Sequence, residues 1–406
     1  MVQTTDAVIV GGGPAGLAAG IVLARVGLRV LLCEKKVFPV DKACGEGLMP
    51  AGVYHLRQLG VGVEVGFPLA GVRYHSPDGS VATGSFRSGA GRGIRRTALS
   101  RSLLDAARQH RSLCILENTP VQLEQRSPEG IEVRVGGERV RTRLLVGADG
   151  LRSGVRRWAG LDQPRRRHWR WGVRQHYRIA PWSDCVEVYW SRLGVEAYVT
   201  PVAEEQVGVA FLWHRERRWA VRGRPLLPSL WAAFPELAQR LQGVPAVTAA
   251  RAIGPLQQRS RAVVADGVLL IGDAAGYLDA ITGEGLSLAF AQALSLSETV
   301  APAMQAQTPL VSRQALARYQ QMTSALMRPA NQMTELALLL SRFPGLCNRV
   351  VRAFRADPAL FQELLAANMG MQSPWQPPVA GRLFARLLLT LPDGFLQGRP
   401  GAATGQ

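Results

Sequence analysis

Apolar positions near the start of the chain change period twice within a few dozen residues. Asp6 to Val10 ends in a continuous apolar run, the pattern of a strand buried on both faces of a parallel sheet. A glycine-rich stretch, Gly11 to Gly16, follows as a turn. Leu17 to Val26 is then apolar nearly all round, which predicts a helix packed inside the molecule. Leu28 to Cys33 returns to a strand pattern, so the chain opens on a βαβ unit.

Further strand patterns fall at Gly71 to Tyr74, Leu113 to Glu117, Ile131 to Val135 and Leu144 to Val146, with a helix predicted over Ala98 to Gln109. Between about 169 and 213 the chain becomes β-rich and aromatic, in Trp171 to Ile179, Val186 to Trp190 and Val207 to Trp213. This predicts a second layer made of a mostly antiparallel sheet. From about 310 the pattern is helical, and Pro329, Pro344, Pro358 and the pair Pro377 and Pro378 predict breaks in it. Gly398 to Gln406 reads as a frayed tail.

Composition narrows the class. With 406 residues, 47% of them hydrophobic, the chain can bury a full core. The net charge of +18 comes almost wholly from arginine, the lysines being only Lys35, Lys36 and Lys42. A surface of that sign attracts nucleic acid, anionic lipid or an acidic partner. Nucleic acid is not expected, and a solvated arginine surface is.

Cys33, Cys44, Cys114, Cys185 and Cys347 form neither a paired framework nor a CxxC knuckle, which fits a reducing cytoplasm. Met1 to Asp6 is short and polar, without the pattern of a secretory leader, and no apolar window is long enough for a spanning helix. The histidines, His55, His75, His110, His168, His176 and His214, never adopt ligand spacing, so no metal is expected.

The chemistry begins at Gly11-Gly12-Gly13-Pro14-Ala15-Gly16, a G-x-G-x-x-G between strand and helix. Gly11 permits the tight turn, Gly13 lets backbone approach a pyrophosphate, and Gly16 lets helix and strand pack closely. Glu34, at the end of the second strand with Lys35 after it, stands where a carboxylate takes both hydroxyls of an adenosine ribose. These features alone do not separate NAD from FAD.

Three later segments do: Arg96 to Leu103, Gly147 to Arg157, and Leu269 to Ala275 followed by Thr282 to Leu286 and an alanine-rich helix. In this order and spacing, over about residues 6 to 300, the chain resembles the FAD-dependent monooxygenases of the p-hydroxybenzoate hydroxylase type and their relatives, the geranylgeranyl reductases and flavin-dependent halogenases. The resemblance implies an FAD held by Gly11, Gly13, Pro14, Ala15, Gly16, Glu34, Lys35, Cys44, Arg96, Val121, Asp149, Gly272, Asp273, Gly283, Gly285 and Leu286. Asp273 would bond the ribityl chain, and the Gly283 to Leu286 helix start would offer N–H groups to the pyrimidine ring. Arg96 would pack on the flavin or its diphosphate, and Asp149 with Gly150 would support the cofactor and the access of a nicotinamide donor. Taken singly, Arg96 reads equally as an ion-pair residue and Asp149 as a turn residue. No second G-x-G-x-x-G follows, which fits NAD(P)H as a transient electron donor without a domain of its own.

The expected fold is therefore α/β: a dinucleotide-binding, Rossmann-like FAD domain with a mostly antiparallel β-sheet substrate domain and a helical C-terminal region. Its expected parts are the FAD domain over 1–165, with some substrate layer near 61–91, the substrate sheet over 166–254, an FAD-domain return over 255–305, and helices over 306–406.

Ala43 to Pro50 and Gly276 to Gly285 resemble the reductases, the latter departing at Ala280 where they carry proline. Against reduction, Glu196 to Pro201 is not of the Tyr-x-Trp-x-Phe-Pro type. Against halogenation, Trp169 to Arg174 half matches Trp-x-Trp-x-Ile-Pro and lacks its proline. The expected activity is FAD-dependent hydroxylation of an apolar aromatic or polyketide-like small molecule with NAD(P)H and O₂, through a flavin C4a-hydroperoxide. Alternatives are a geranylgeranyl-reductase-like enzyme, a halogenase and a flavin-binding protein without activity.

His176 and Tyr198 are candidates for a base or orienting group, with Tyr177 beside them, each equally readable as a core residue. Cys44 reads as a small residue near the flavin, since no resolving cysteine lies near it in sequence. Arg382 and Arg386 with Leu383, Phe384, Leu387 and Leu388 form a short basic amphipathic helix. It would cover a hydrophobic substrate, touch a membrane surface peripherally, or simply pack in the core.

Overall fold

The computed structural model describes residues 3–62, 64–163, 170–214, 226–306, 308–370 and 377–389. Trp169 and the tail from Gly398 lie outside the described residues, as do the side chains of Phe384, Leu387 and Leu388. The chain begins β1 (Gln3–Val10), α1 (Pro14–Arg25), β2 (Val30–Cys33), β3 (Gly47–Leu48), α2 (Pro50–Gln58), β4 (Phe67–Leu69), β5 (Gly71–His75), β6 (Val81–Ser85), β7 (Gly91–Gly93) and α3 (Arg96–Arg108). It continues with β8 (Leu113–Leu116), β9 (Val121–Ser127), β10 (Gly130–Val135), β11 (Glu138–Gly147), α4 (Gly154–Trp158), β12 (Arg170–Tyr177), β13 (Cys185–Trp190), β14 (Val195–Ala203) and β15 (Gln206–His214). After α5 (Leu226–Trp231), α6 (Pro235–Arg240), β16 (Arg251–Ile253), β17 (Val264–Ala265) and β18 (Val268–Leu270), the further elements among the described residues are helices: α7 (Gly285–Thr299), α8 (Ala301–Gln305), α9 (Ala317–Arg342), α10 (Pro344–Ala356), α11 (Pro358–Asn368) and α12 (Pro377–Leu389).

The first sheet runs β17-β18-β11-β1-β2-β8, with β1 parallel to both β2 and β11, and a β9-β10 meander attached to β11. Ala7, Val8 and Ile9 are fully buried, the pattern of a parallel strand covered on both faces, and α1 packs against β1. Helix α1 starts at Pro14, where the missing N–H costs nothing, and packs against α3 and α7. The second sheet runs β16-β12-β15-β14-β13-β5-β6 and is antiparallel except for the β13–β5 pair. A small β3-β7-β4 sheet completes the strands.

Alternation along the second sheet divides two cores. Val195, Ala197 and Val199 face α5 and α6, while Tyr198, Val186 and Val188 face α9, α10 and α11. The C-terminal helices therefore form a roof over one face of this sheet.

Several boundaries differ from the sequence patterns. β11 extends back to Glu138 because its first half alternates exposed and buried positions against β10, unlike the buried run at its end. Pro329 does not break the helical region: α9 runs through it, and its flanks are held by packing against α7, β17, α10 and α11. Pro344, Pro358 and Pro377 stand instead at the first positions of α10, α11 and α12, where proline is tolerated.

Candidate functional site

A single cavity of about 1090 Å³ is lined by both sheets and by the C-terminal helices. At its first-sheet end lie Gly11, Gly13, Pro14 and Ala15. Gly11 has φ +108°, and a Cβ there would stand 2.6 Å from the Ala148 carbonyl oxygen. At Gly13 the nearest atom to an added Cβ is an Arg96 guanidinium nitrogen at 3.8 Å, so the backbone at the start of α1 is open to a ligand. Gly16 does not line the cavity; its missing side chain lets α1 close onto Gly11.

Glu34 is buried, and its carboxylate accepts the Gly12 N–H at 2.7 Å and the Lys36 N–H at 3.0 Å. Lys35 and Val121 line the cavity beside it. Arg96 opens α3, and its backbone N–H donates to Glu46 at 2.8 Å. Asp149 accepts the N–H groups of Gly154 (2.6 Å) and Val155 (3.2 Å) through one oxygen. Arg96 Nε and Asp149 Oδ1 are both buried without a partner among the described residues, and both belong to residues that line the cavity. Buried polar atoms in that state are donor and acceptor capacity for a ligand.

Gly272 and Asp273 sit on a single helical turn, with the Gly272 N–H held by Gln292 at 2.8 Å. Asp273 forms an ion pair of 2.6 Å with Lys42, 231 positions away in sequence. Lys42 was not singled out by its motif, since nothing local marks a lysine whose partner is so remote. It completes a pattern: Lys35, Lys36 and Lys42 all line this cavity. Gly283, Gly285 and Leu286 line it at the N-terminus of α7, where backbone N–H groups and the helix dipole favour negative charge. Glu284 does not line the cavity; its buried carboxyl accepts a bond at 3.2 Å from Asn368, which does, and burial pushes it up to about 8.

The loop from Lys42 to Gly47 forms another wall. Cys44 lines the cavity, and its sulfur accepts the Glu46 N–H at 3.4 Å. Glu46 holds a left-handed backbone, φ 60°, uncommon for a side chain of this size. Its carboxylate meets the Arg96 N–H, His176 Nε2 and, at 3.6 Å, Arg174. His176 is fully buried behind Glu46 and Arg174, which line the cavity, and does not itself line it. Its Nδ1 lies 3.1 Å from an Arg174 nitrogen, a donor only, so Nδ1 accepts and Nε2 carries the proton toward Glu46. Tyr177 turns to the other side of the sheet, against Trp231.

Tyr198 does line the cavity, and its hydroxyl donates to the Ile281 carbonyl at 3.2 Å. Burial holds its pKa well above the ordinary phenol value. Behind it lies a buried ion cluster: Arg170 reaches Glu196 at 2.6 Å and Asp279 at 2.9 Å. Asp279 in turn accepts the Ile281 N–H at 3.1 Å, which ties the 276–285 loop to β12 and β14. Burial raises the Asp279 carboxyl against the pull of Arg170.

The remaining wall comes from β5, β13 and the roof helices and is apolar apart from Tyr74 and Asn368, with Leu340, Val350, Phe354 and Leu383 among its residues. Arg382, placed by sequence on a basic face, is instead paired with Glu363 at 2.9 Å and Asp357 at 2.8 Å, and Arg386 also approaches Asp357. No described helix is long and apolar enough to cross a membrane.

The residues fit an FAD. An acid stands for the ribose, open backbone lies at a helix N-terminus, Arg96 and Asp149 offer unpartnered atoms, and Asp273 with Lys42 lies between the two ends.

Comparison with known proteins agrees. The chain is 29% identical over 302 residues to a menaquinone reductase of Mycobacterium tuberculosis, covering 70% of this chain and 73% of that protein. It is 28% identical over 386 residues to the 6-methylpretetramide 4-monooxygenase of Streptomyces rimosus, covering 88% of each. The fold matches the structure of the flavin-dependent brominase Bmp2 with a TM-score of 0.79 at 19% identity, covering 94% of this chain and 98% of that one. Residues 4–332 match the FAD binding domain family, and with the glycine turn, Glu34 and Asp273 in place this chain belongs to that family of FAD-binding oxidoreductases.

Proposed function

We propose that this chain is a monooxygenase that uses NAD(P)H and O₂ to hydroxylate an apolar aromatic or polyketide-like small molecule. The observation that carries this reading is the continuity of the cavity, which joins the dinucleotide end to an apolar chamber under α9, α10 and α11. FAD, when bound, supplies the hydride acceptance and the oxygen chemistry.

The chain's own residues do the rest. Gly11 to Gly16, Glu34, Asp273 and Lys42 hold the cofactor, and the α7 N-terminus stabilises negative charge at the ring end. Tyr198 keeps its proton at ordinary pH, so it orients a substrate oxygen or its own loop as a donor and does not act as a base. The apolar walls keep water from the reacting ring. His176 acts only through Glu46, as the support of a cavity wall.

The similarity to the Streptomyces rimosus monooxygenase supports this, because it extends through most of the roof helices as well as the cofactor site. The absence of a second nucleotide motif fits NAD(P)H as a visiting donor. The free cysteines fit a cytoplasmic enzyme.

A second reading, saturation of a prenyl double bond, is favoured by the segments at 43–50 and 276–285 and by the similarity to a menaquinone reductase. Oxygen separates them. The FAD-loaded protein is supplied with NAD(P)H, ¹⁸O₂ and a panel of phenols, alkylresorcinols and prenylated quinones. Label in the product supports hydroxylation, whereas saturation of a prenyl bond under argon overturns it in favour of reduction.

A further inference from the structure

We propose that the apolar arm of the cavity is a tail pocket, and that the substrate is an amphiphile whose ring lies at the cofactor end while a long aliphatic chain runs under the roof helices. The ring assignment rests on the monooxygenase reading; the tail assignment rests on the walls.

The cavity, about 1090 Å³, exceeds the roughly 300–1,000 Å³ usual for one ligand. Its charged lining, including Glu34, the three lysines, Asp149 and Asp273, belongs to the glycine-turn end, the adjoining loops and, in Arg174, β12. The arm between β5, β13 and the roof is different. Tyr74, Leu340, Val350, Phe354, Phe361 and Leu364 line it, and its polar groups are the Tyr74 hydroxyl and, at the end of α11, the Asn368 amide, whose nitrogen is held by the Thr282 carbonyl and Glu284.

Phe354 and Phe361 stack at 4.5 Å with planes 5° apart, and Tyr74 lies 4.9 Å from Phe361, which makes a rigid aromatic wall. A polar or charged group carried into such an arm would lose its water without gaining partners, whereas a methylene gains from burial. Tyr198, anchored to Ile281, also lines the cavity and marks where polar lining gives way to apolar.

The match to the FAD binding domain family ends at residue 332, before Leu340, α10 and α11. The arm is therefore built largely by a part of the chain outside the shared cofactor domain, which is where substrate selection by an individual member would reside.

The FAD-loaded protein is titrated under argon with resorcinol and its pentyl, heptyl and undecyl derivatives, reading the perturbation of the flavin absorbance. Each buried methylene contributes about fourfold in affinity, so with only two of the six extra methylenes buried the undecyl compound is expected to bind at least about tenfold more tightly than the pentyl one. Val350→Trp, which fills the arm, is expected to abolish that gain and leave resorcinol binding unchanged. As a check that needs no variant, an undecyl chain ending in a diazirine is expected to label peptides within residues 344–368 on irradiation. Affinity independent of chain length, or label confined to peptides that carry none of the arm's lining residues, overturns the tail pocket. Since no turnover is read, tail binding without ¹⁸O in any product would overturn the oxygenase reading alone.

Discussion

Asp273 has two partners to serve, since its carboxylate pairs with Lys42 and faces the cavity where a ribityl chain would lie. Asp273→Ala should raise the FAD Kd by about tenfold or more, from the roughly 1.5–3 kcal/mol that a hydrogen bond to a charged group contributes; flavin fluorescence on ultrafiltration measures it. Glu284→Gln should leave FAD binding nearly unchanged, because that side chain faces Asn368 and the adjoining site contacts are backbone. Its effect should appear in stability. The Glu284 carboxyl is raised to about 8 in the fold from an ordinary 4.5, so its contribution is fully present below about pH 4.5 and is lost as pH rises through 8. Wild-type melting temperature should fall across that window more steeply than that of Glu284→Gln, by the equivalent of a few kcal/mol; parallel curves would refute the assignment. Cys44→Ser should retain FAD and change turnover by less than about tenfold, under ~1.4 kcal/mol of barrier, because an oxygen can accept the Glu46 N–H in place of sulfur. Asp273 and Glu34 were legible in sequence because each sits at a fixed offset from glycines. Lys42, Glu46 and Arg174 were not, because their partners are set by tertiary approach.

Elements built on continuous apolar runs, such as β1 and α1, could be read from periodicity, each beginning three residues before its apolar pattern does, at Gln3 and Pro14. Of the mixed-face elements, β5 and β10 show as strand patterns at Gly71–Tyr74 and Ile131–Val135, whereas β6, β9 and the first half of β11 carry too few apolar residues to stand out. Prolines misled in one place only. In α10, α11 and α12 they mark beginnings, but Pro329 lies inside α9 and is held there by neighbouring helices. Pro329→Ala should therefore stabilise the protein by about 1 kcal/mol or more, part of the ~3 kcal/mol that an interior proline costs a helix, and calorimetry of the FAD-loaded protein reads it directly. A lower melting temperature would mean that α9 needs its proline geometry for packing.

At the scale of the molecule, two sheets and a helical roof meet around one cavity, and the class of that fold was visible in the order of the motifs. How the parts lock together was not, because the lock is Arg170, Glu196 and Asp279, three charges from distant segments buried together. Arg170→Met removes the cation and leaves two carboxylates without compensation. A loss of about 3–5 kcal/mol in stability is expected, with weaker FAD retention, since Asp279 also fixes the loop before α7.

The lysines have a practical consequence of the same scale. Because arginine carries nearly all the positive charge and Lys35, Lys36 and Lys42 all border the cofactor cavity, amine-reactive reagents have almost nothing else to attack apart from the α-amino group. Dye labelling, surface immobilisation or cross-linking through amines, routine and harmless in most proteins, would here act as an affinity label for the dinucleotide site, and bound FAD should shield it.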